Sequence, residues 1–345
     1  MSSPDVTLHI DRKNYVGWKS VRVSLGLDRL ASSFELALTE RWASMGEKVS
    51  VREGVACEVR IGKDTVLPGY VDESTTSYNA RNRSLAVQGR SKLGDLVDCS
   101  IGARRYRKQT LGQIARAMCE PFGISVADDV GDTEQFRSFS VEDGETVFEA
   151  LDRAARMRGV LLVSGFDGAL HLTRRGTQKL PTRLVHGKNI LSGARRGTTR
   201  DRYSDYICKS QAVGDDDFHG KKLSATAEVK DAGIARYRPT VIVAEEPEKK
   251  AALEKRATWE RNVRAGKAVT YEYTVQGWSY GDGLWVPNYL VPVSDYEFGI
   301  EGELLIASVD FVRSNEGTTT TMQLVDPAAY DVLRAPEPKA RDPWA

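Results

Sequence analysis

The stretch Val66–Ser100 reads VLPGYVDESTTSYNARNRSLAVQGRSKLGDLVDCS and contains two strand-like runs on either side of a polar turn at residues 78–82. In the second run, Ser84–Gln88, Leu85 and Val87 alternate with polar neighbours, which is the period-2 pattern of a half-buried strand. Nothing in the stretch has the features of a catalytic loop. It therefore predicts a hairpin at a corner of an antiparallel β-barrel.

Two glycines follow this hairpin, Gly89 and Gly94, with a charged segment between them. Because glycine adopts backbone conformations that other residues avoid, we expect both to be pivots that turn the chain sharply into the next domain. On this interpretation, a β-branched residue at either position would damage the assembly of the protein before it damaged any activity.

The composition describes a soluble globular chain of two or three domains. Its 345 residues are 41% apolar and 28% charged, and 49 basic residues nearly balance 48 acidic ones. A dedicated nucleic-acid-binding protein usually carries a basic excess, which this chain lacks. No apolar run approaches the roughly 20 residues that span a bilayer, and the N-terminus lacks the pattern of a secretory signal. The scattered cysteines favour buried free thiols over disulfides or a zinc site: Cys57, Cys99, Cys119 and Cys208.

Short alternating strands occupy both ends of the chain. From Val6 to Leu38, and again from Ala268 to Asp326, apolar residues alternate with polar ones and turn signals interrupt the runs. Strands at this spacing indicate a β-sandwich or a β-barrel. A turn is predicted at residues 315–317, and no repeat of fixed period links the two ends.

In the middle of the chain the apolar period becomes that of a helix. One helix is predicted from Thr110, as its N-cap, to Pro121, and a second over Glu145–Arg158 with Gly159 as its C-cap. A hairpin with a turn at residues 166–168 follows. This part of the chain therefore predicts a small α+β domain.

The third quarter of the chain is more polar. Gly214–Arg236 is rich in Asp, Lys and Gly and predicts a long polar excursion. Pro247 opens a charged helix whose narrow apolar stripe includes Leu253 and Ala257. The tail Arg334–Ala345 contains three prolines and is predicted to be extended.

These features predict a chain that is α+β and mainly β, with two antiparallel β-barrel domains, an inserted small α+β domain and a helix in the C-terminal half. The expected division is 1–102 for the first barrel domain, 103–176 for the inserted domain, 177–240 for connecting strands with the polar excursion, and 241–345 for the second barrel domain with the helix and the tail.

Candidate metal ligands and catalytic groups are sparse. Asp215–Asp217 and His219 form the densest group, but an acidic run beside glycine is typical of a solvated turn. His9, His171 and His186 share no metal-binding spacing. We therefore predict no catalytic, cofactor-binding or metal-binding residue.

Adjacent carboxylates are present at Glu142–Asp143 and at Glu301 and Glu303, where the sequence favours turns over an acid–base pair. No GxSxG elbow and no strand–GxGxxG–helix unit occurs. A hydrolase remains an alternative, although no stretch stands out as its module.

The basic cluster Arg104–Lys108, with Tyr106 inside it, is compatible with nucleic-acid contact, but a charged interdomain linker is favoured. Arg174–Arg175 and Arg195–Arg196 are equally ambiguous. Three aromatic residues near the C-terminal strands favour core or subunit contacts: Trp278, Trp285 and Tyr289.

Seven segments in a common order carry a family resemblance over nearly the whole chain: GYVDE at 69–73, AVQGRSKLGDLVDCS at 86–100, TLGQIARAMCEPFGISV at 110–126, ETVFEALDRAARMRGVLLVS at 145–164, DRYSDYICK at 201–209, ARYRPTVIVAEE at 235–246 and DGLWVPNYLV at 282–291. In these segments the chain resembles the baseplate hub proteins of Mu-like contractile phage tails and the related late-control proteins of temperate phages. The tail after Asp326 looks shorter than in that family.

The resemblance implies a homotrimer in which each subunit supplies two tail-tube-like barrels, so that six barrels surround a channel. This pseudo-sixfold ring would join the hexameric tail tube to the trimeric central spike, beside the baseplate wedge proteins. Phage DNA would pass through without specific binding. The protein would be neither an enzyme nor cofactor-dependent, would be assembled in the host cytoplasm and would be located in the tail baseplate of the virion.

For such a channel we expect a neutral or acidic wall, because DNA binds tightly to surfaces rich in Lys and Arg. The Arg-rich segments would then face subunit or domain contacts. Two alternatives stay open: a tail-associated cell-wall hydrolase, and a nucleic-acid-binding β-barrel protein, which the charge balance disfavours.

Overall fold

The computed structural model describes residues 6–41, 50–211, 224–243, 250–281 and 283–333. Strands dominate both ends of the chain, and the helices lie between them, as the alternating patterns predict. The first seven strands are β1 Val6–Ile10, β2 Lys13–Tyr15, β3 Ser20–Gly26, β4 Ser33–Arg41, β5 Ala56–Ile61, β6 Asp64–Tyr78 and β7 Asn82–Ser91.

The middle region combines three helices with short strands. Its elements are α1 Gly94–Asp98, β8 Arg104–Thr110, α2 Leu111–Cys119, β9 Val126–Asp128, β10 Gln135–Val141, α3 Val147–Arg158, β11 Leu161–Ser164 and β12 Leu170–Thr173.

The remaining elements return to strands around one long helix. They are β13 Leu184–Val185, β14 Ile190–Gly197, β15 Asp205–Gln211, β16 Ser224–Lys230, β17 Pro239–Val243, α4 Lys250–Lys267, β18 Val269–Gln276, β19 Leu290–Asp295, β20 Ile300–Ser314 and β21 Gly317–Val325.

One 13-stranded sheet joins the two ends of the chain. Its path runs β14-β18-β21-β20-β3-β4-β7-β6-β5-β1-β2, while β19 pairs with β20 and β13 pairs with β19. All pairs along the path are antiparallel. We call this the main sheet, and the β3–β20 pair within it the internal junction.

The main sheet contains the same five-strand unit twice. In the first unit the strands lie in the order β3-β4-β7-β6-β5, and in the second unit in the order β14-β18-β21-β20-β19, so that corresponding strands also follow each other along the chain in the same sequence. In their pairing with β7 and β21, the two long strands each change register at one position, between Val71 and Glu73 in β6 and between Ile306 and Ser308 in β20. The unit is therefore duplicated in structure although no sequence repeat is visible.

The internal junction merges the two units into one open sheet. Within the described ranges the strand path does not close on itself, so the prediction of two closed β-barrels is not confirmed. The mainly β character and the small number of helices are as predicted.

A single hydrophobic core covers one face of both units. It includes Val23, Leu36 and Val87 of the first unit and Val309 and Leu324 of the second, all essentially inaccessible to solvent. Since successive strand residues point to opposite faces, the intervening polar residues lie on the other face. The two ends of the chain are thus held together by shared burial as well as by backbone pairing.

The predicted hairpin is confirmed. β6 and β7 pair from Gly69–Ser91 out to Tyr78–Arg83, and the chain turns at residues 79–81. Leu85 and Val87 are buried, as their alternation predicts.

The predicted glycine pivots are wrong. Gly89 lies inside β7, the chain turns only after Ser91, and Gly94 is the first residue of α1. Neither glycine has a positive φ. At Gly89 the space for a Cβ atom is taken by the carbonyl oxygen of Tyr70 and the ring of Phe34, so its role is to permit close approach.

Local signals begin and end the helices of the middle region: the caps at Thr110 and Gly159 are as predicted, while α3 begins at Val147, two residues after the predicted start at Glu145. Thr110 and Thr146 each accept a hydrogen bond from the backbone N–H three residues later, and the side chains of Gln113 and Glu149 complete two capping boxes. Gly159 ends α3 in the left-handed conformation, with φ 62°.

These helices cover a second hydrophobic core. It includes Leu96 of α1, Ile114 of α2, Leu151 of α3, Phe139 of β10 and Leu172 of β12. The predicted hairpin after α3 is present as the antiparallel pair β11–β12.

A separate three-stranded sheet has the order β16-β15-β17 and packs against α4. The predicted polar excursion over Gly214–Arg236 is therefore wrong for Ser224–Lys230, which forms β16 because Ala227 is buried against α4. Leu253 and Ala257 are the buried stripe of α4, as predicted.

Several predictions fall outside the described residues: those for Asp215–Asp217 and His219, for Pro247 as the start of the third helix, and for the tail Arg334–Ala345. In the described ranges, no helix has the length and the apolar character that crossing a membrane requires.

Candidate functional site

The face of the main sheet opposite the core is polar across eight strands. Residues directly opposite each other in an antiparallel pair point to the same side, so the register of the strands defines this face. We call it the polar face; it comprises Glu73 and Thr75, Ala86 and Gln88, Glu35 and Ala37, Arg22 and Ser24, Asp310 and Val312, Thr321 and Gln323, Glu272 and Thr274, and Ala194 and Arg196.

Side chains on the polar face tie the two units together at the internal junction. Arg22 Nη2 lies 3.0 Å from Asp310 Oδ2, and the hydroxyl of Ser24 donates a hydrogen bond of 2.5 Å to Asp310 Oδ1. The ion pair is partly exposed and contributes on the order of 0–1 kcal/mol, so it fixes register more than it stabilises.

The two units carry matching residues on the polar face. Glu35 lies opposite Gln88 in the first unit, and Glu272 lies opposite Gln323 in the second. Sequence reasoning missed this correspondence. The available signal was the likeness of FELAL at 34–38 to YEYTV at 271–275, which share the glutamate and the alternation around it.

Among the residues named above, carboxylates outnumber cations; Arg90, which lies opposite Ser33 on the same face, is already paired with Asp72 and Asp98. The acidic side chains are Glu35, Glu73, Glu272 and Asp310, and the basic ones are Arg22 and Arg196. Most of the remaining positions hold Ser, Thr, Gln or Ala. Such a surface offers hydrogen-bonding groups but repels phosphate, since an acidic excess opposes the binding of nucleic acid.

The basic cluster Arg104–Lys108 lies elsewhere. It forms most of β8, which pairs with β10 and belongs to the middle region, away from the main sheet. The linker interpretation is wrong: Tyr106 is buried in the second core and anchors β8 as a strand, while the charged residues around it are exposed.

The other arginine pairs have separate surroundings. Arg175 Nε lies 2.6 Å from Asp331 Oδ1 in an ion pair that connects two distant segments. Arg195 and Arg196 are both exposed on β14, and only Arg196 lies on the polar face.

The histidines of the described ranges have separate surroundings, and in those ranges no group of three His, Cys, Asp or Glu side chains could hold a metal ion. His9 Nδ1 lies 2.7 Å from Asn14 Oδ1, and His186 Nδ1 lies 2.9 Å from Asp295 Oδ1.

His171 contacts two carboxylates. Its Nδ1 lies 3.0 Å from Asp129 Oδ2 and its Nε2 lies 3.4 Å from Asp167 Oδ1. Burial lowers the pKa of His171, but the hydrogen bonds with both carboxylates outweigh it, so that the net pKa is raised. The group is a surface charge cluster that joins β12 to its neighbouring turns.

Among the carboxylates that are adjacent in sequence, Glu142–Asp143 and Glu301 and Glu303, three have partners other than each other. Asp143 accepts a hydrogen bond from the backbone N–H of Ala103 at 3.1 Å, which fastens a turn. Glu301 and Glu303 each have a cationic partner, in the pairs Arg183–Glu301 and Lys179–Glu303.

Two of the aromatic residues are confirmed as core. Trp278 and Trp285 are 1% and 2% exposed, and Trp278 Nε1 donates a hydrogen bond of 3.1 Å to the carbonyl oxygen of Val312. Tyr289 is partly buried against the same core.

The four cysteines are free, and Cys57, Cys119 and Cys208 are buried, as the sequence predicts. Cys99 is half-buried. Burial raises the pKa of Cys57 and of Cys119 to about 12, so both thiols stay protonated and unreactive at neutral pH.

Three family models match the chain. The model of the Mu phage baseplate assembly protein GpP-like N-terminal domain matches residues 5–91. The model of the second domain of baseplate hub protein gp44-like matches residues 93–174, and that of the fourth domain of Mu phage baseplate assembly protein GpP matches residues 249–333.

The chain is also similar to individual phage tail proteins. It is 33% identical over 336 residues to the baseplate hub protein gp44 of Escherichia phage Mu, which covers 93% of this chain and 88% of that protein. The 43 kDa tail protein of prophage MuSo2 from Shewanella oneidensis superposes with a TM-score of 0.86 at 36% identity, over 95% of this chain and 100% of that one. The tail protein of Neisseria meningitidis MC58 shares the fold, with a TM-score of 0.83 at 24% identity over 97% and 100%.

Proposed function

The chain belongs to the baseplate hub family of Mu-like phages, whose members are structural components of the phage tail, and we propose that three copies of it form a ring at the centre of the baseplate. The ring joins the hexameric tail tube to the trimeric central spike, lies beside the wedge proteins and forms part of the channel through which the genome leaves.

The observation that carries this proposal is the duplicated five-strand unit. One chain supplies two alike units, so three chains supply six. A ring of three chains can therefore present sixfold-like contacts to the tube and threefold contacts to the spike. A protein with a single unit would need six copies to do the same, and would then not match the spike.

We further propose that each unit is the core of one barrel domain, closed by segments or subunits beyond those that pair within one chain. The proposed division is 1–102, 103–176, 177–240 and 241–345. The family-model matches to residues 5–91, 93–174 and 249–333 support the order of these domains.

The polar face suits the wall of the channel. Its acidic excess and its short hydroxyl and amide side chains would let DNA pass without a strong attraction to the wall. The exposed arginines of β8 lie outside the main sheet and are available for contacts with other tail proteins. The proposed role needs neither catalysis nor a cofactor, and it places the protein in the virion baseplate after assembly in the host cytoplasm.

The mass of the assembled protein tests this function. Native mass spectrometry of the purified chain, alone and after co-expression with the spike protein of the same phage, is expected to give a trimer. Class averages from electron microscopy should show a ring with an open centre and sixfold-like outer contacts. A protein that stays monomeric in both preparations, or a monomer that clears peptidoglycan, would contradict the proposal.

A further inference from the structure

We propose that the outer half of β6 pairs with β14 of a second copy of this chain, antiparallel and with Thr75 directly opposite Arg196 of that copy. The inference rests on the proposed ring and names the strands that close it. It follows from two open sheet edges, from the internal junction that shows how such edges pair, and from the charges along them.

The first open edge is the outer half of β6. Up to Val71 the strand has a partner on its outer side, since Val71 accepts from Gly54 N–H at 2.7 Å and donates to the carbonyl oxygen of Val55 at 3.0 Å. Over residues 73–77 the only strand beside it in the described ranges is β7, on the inner side. These five residues thus leave one row of backbone groups available to a partner.

The second open edge is β14. It pairs with β18 on one side, and no described strand lies on its other side. Every residue after Ile190 is exposed, including Leu191 at 57%. A strand of eight residues with both faces and one edge uncovered is a template for pairing with another chain.

The internal junction shows which partner fits. β20 corresponds to β6 in the second unit, and its residue Ile306 makes the same two hydrogen bonds as Val71, accepting from Asn288 N–H at 2.9 Å and donating to Tyr289 at 2.9 Å. Beyond the register shift, β20 pairs with β3 over residues 308–313. By correspondence, β6 beyond its own shift should pair with the counterpart of β3, which is β14.

The register follows from the matching residues. The register shift of β6 ends at Glu73 and that of β20 ends at Ser308, so these two residues correspond. Two residues further along, Thr75 is the counterpart of Asp310. Aligning Glu35 with Glu272 makes Arg196 the counterpart of Ser24. Asp310 lies opposite Ser24, so Thr75 should lie opposite Arg196. The other contacts between copies are then Ser74–Gly197, Thr76–Arg195 and Ser77–Ala194.

The charges on the two edges are complementary. In this register Arg196 is the diagonal neighbour of Glu73 on the same face, within reach of a long side chain. At the internal junction Arg22 and Asp310 form such a diagonal ion pair at 3.0 Å. The contact between copies thus pairs an acidic side chain of one strand with a basic side chain of the other, as the Arg22–Asp310 pair does within one copy.

The partner that pairs with each open edge is a second copy of this chain, because one copy carries both edges. The edges lie at opposite ends of the β14-to-β6 path, so they cannot meet side by side within that path. Pairing of unlike edges is head-to-tail, and it generates a closed ring when the rotation between copies divides a full turn. With two alike units in each chain, the junctions within and between copies would alternate around the ring.

Cysteine cross-linking tests the proposed register. The variant carrying Thr75→Cys and Arg196→Cys places two thiols directly opposite each other, with Cβ atoms about 4.5–5.5 Å apart. After mild oxidation, a non-reducing gel is expected to show conversion of the monomer band into a covalent trimer. The matched control carries Thr75→Cys and Arg195→Cys, in which the second thiol is on the opposite face and no trimer band should form. The wild type, oxidised in the same way, shows whether its own four free cysteines form any cross-link.

The native mass of each variant separates the possible outcomes. Covalent trimers in the first variant alone support the edge pairing. A trimeric mass without cross-links, or with cross-links in the control instead, overturns the edge pairing and leaves the proposed ring intact. A monomeric mass without cross-links overturns both.

Discussion

Gly89 shows how a single residue acts through the space it leaves empty. A Cβ atom there would lie 2.6 Å from two ring atoms of Phe34 and inside the contact distance of the Tyr70 carbonyl oxygen. At Gly94 the nearest atom to a Cβ would be a side-chain carbon of Arg90, at 3.4 Å. Two glycines that look alike in sequence therefore differ in how strictly the fold requires them.

We expect Gly89→Ala to lower the free energy of unfolding by about 3 kcal/mol, because the added Cβ atom forces β6, β7 and Phe34 apart. Gly94→Ala is the matched control and should change it by less than about 1 kcal/mol, since helix α1 tolerates a Cβ there. Urea unfolding at neutral pH measures both. Equal losses in the two variants would contradict the assignment.

At this scale the sequence predicts what depends on near neighbours. The caps at Thr110 and Gly159 are recognisable because their partners lie within a few residues. The role of Gly89 is not recognisable, because Phe34 reaches it from a strand more than fifty positions earlier.

Among the elements, Asp295 at the end of β19 fastens three segments. It accepts a hydrogen bond of 2.8 Å from the hydroxyl of Tyr273 on β18, contacts His186 before β14 at 2.9 Å, and accepts from Glu297 N–H at 2.9 Å. Burial raises the pKa of Asp295, but the hydrogen bonds from His186, Tyr273 and the backbone outweigh it and hold the pKa below its usual value of 3.8. Folding therefore favours the ionised carboxylate.

A carboxylate whose pKa is depressed in the folded state stabilises above its unfolded pKa and loses this effect as pH falls through the folded pKa. We therefore expect Asp295→Asn to lower the free energy of unfolding by about 1–3 kcal/mol at pH 7, with a smaller difference from the wild type at pH 3. Urea titrations at both values measure it, with Asp64→Asn at the exposed start of β6 as the control. A difference that is constant with pH would count against the ionised network.

Alternation predicts most strands, but it does not predict their partners. The strands around Val21–Leu25 and Phe34–Leu38 are legible in the sequence, whereas the internal junction joins residues 288 positions apart. The likeness of the two units is also hidden, because Thr76 stands where Phe311 stands in the other unit. β16 was missed because it contains few large apolar residues and depends on α4 for its burial.

For the whole molecule, we expect the charge of the polar face to set how strongly the assembled protein binds DNA. If this face lines the channel, replacing Glu35 and Glu272 by Lys should make the assembled protein retain double-stranded DNA in a gel-shift assay, and the binding should weaken steeply with added salt. The wild type should show no retention under the same conditions.

The control is the variant with Glu53→Lys and Glu142→Lys, which makes the same change in net charge at exposed positions away from the polar face. It should retain little DNA. Retention by the control equal to that of the polar-face variant would mean that net charge alone, and not the position of the charges, governs the interaction.

The internal junction also has a consequence in time. Arg22 and Asp310 are separated by 288 residues, and chains grow at about 5–20 residues per second, so β3 is made about 15–60 s before β20 reaches it. During this interval the first unit has to stay folded while β3 is an unpaired edge strand. On an mRNA that carries several ribosomes, β20 of a chain from an earlier ribosome can pair with this β3 before the chain's own β20 is made. The result would be two domain-swapped chains. The rate of translation thus becomes one of the factors that set the yield of correctly closed molecules.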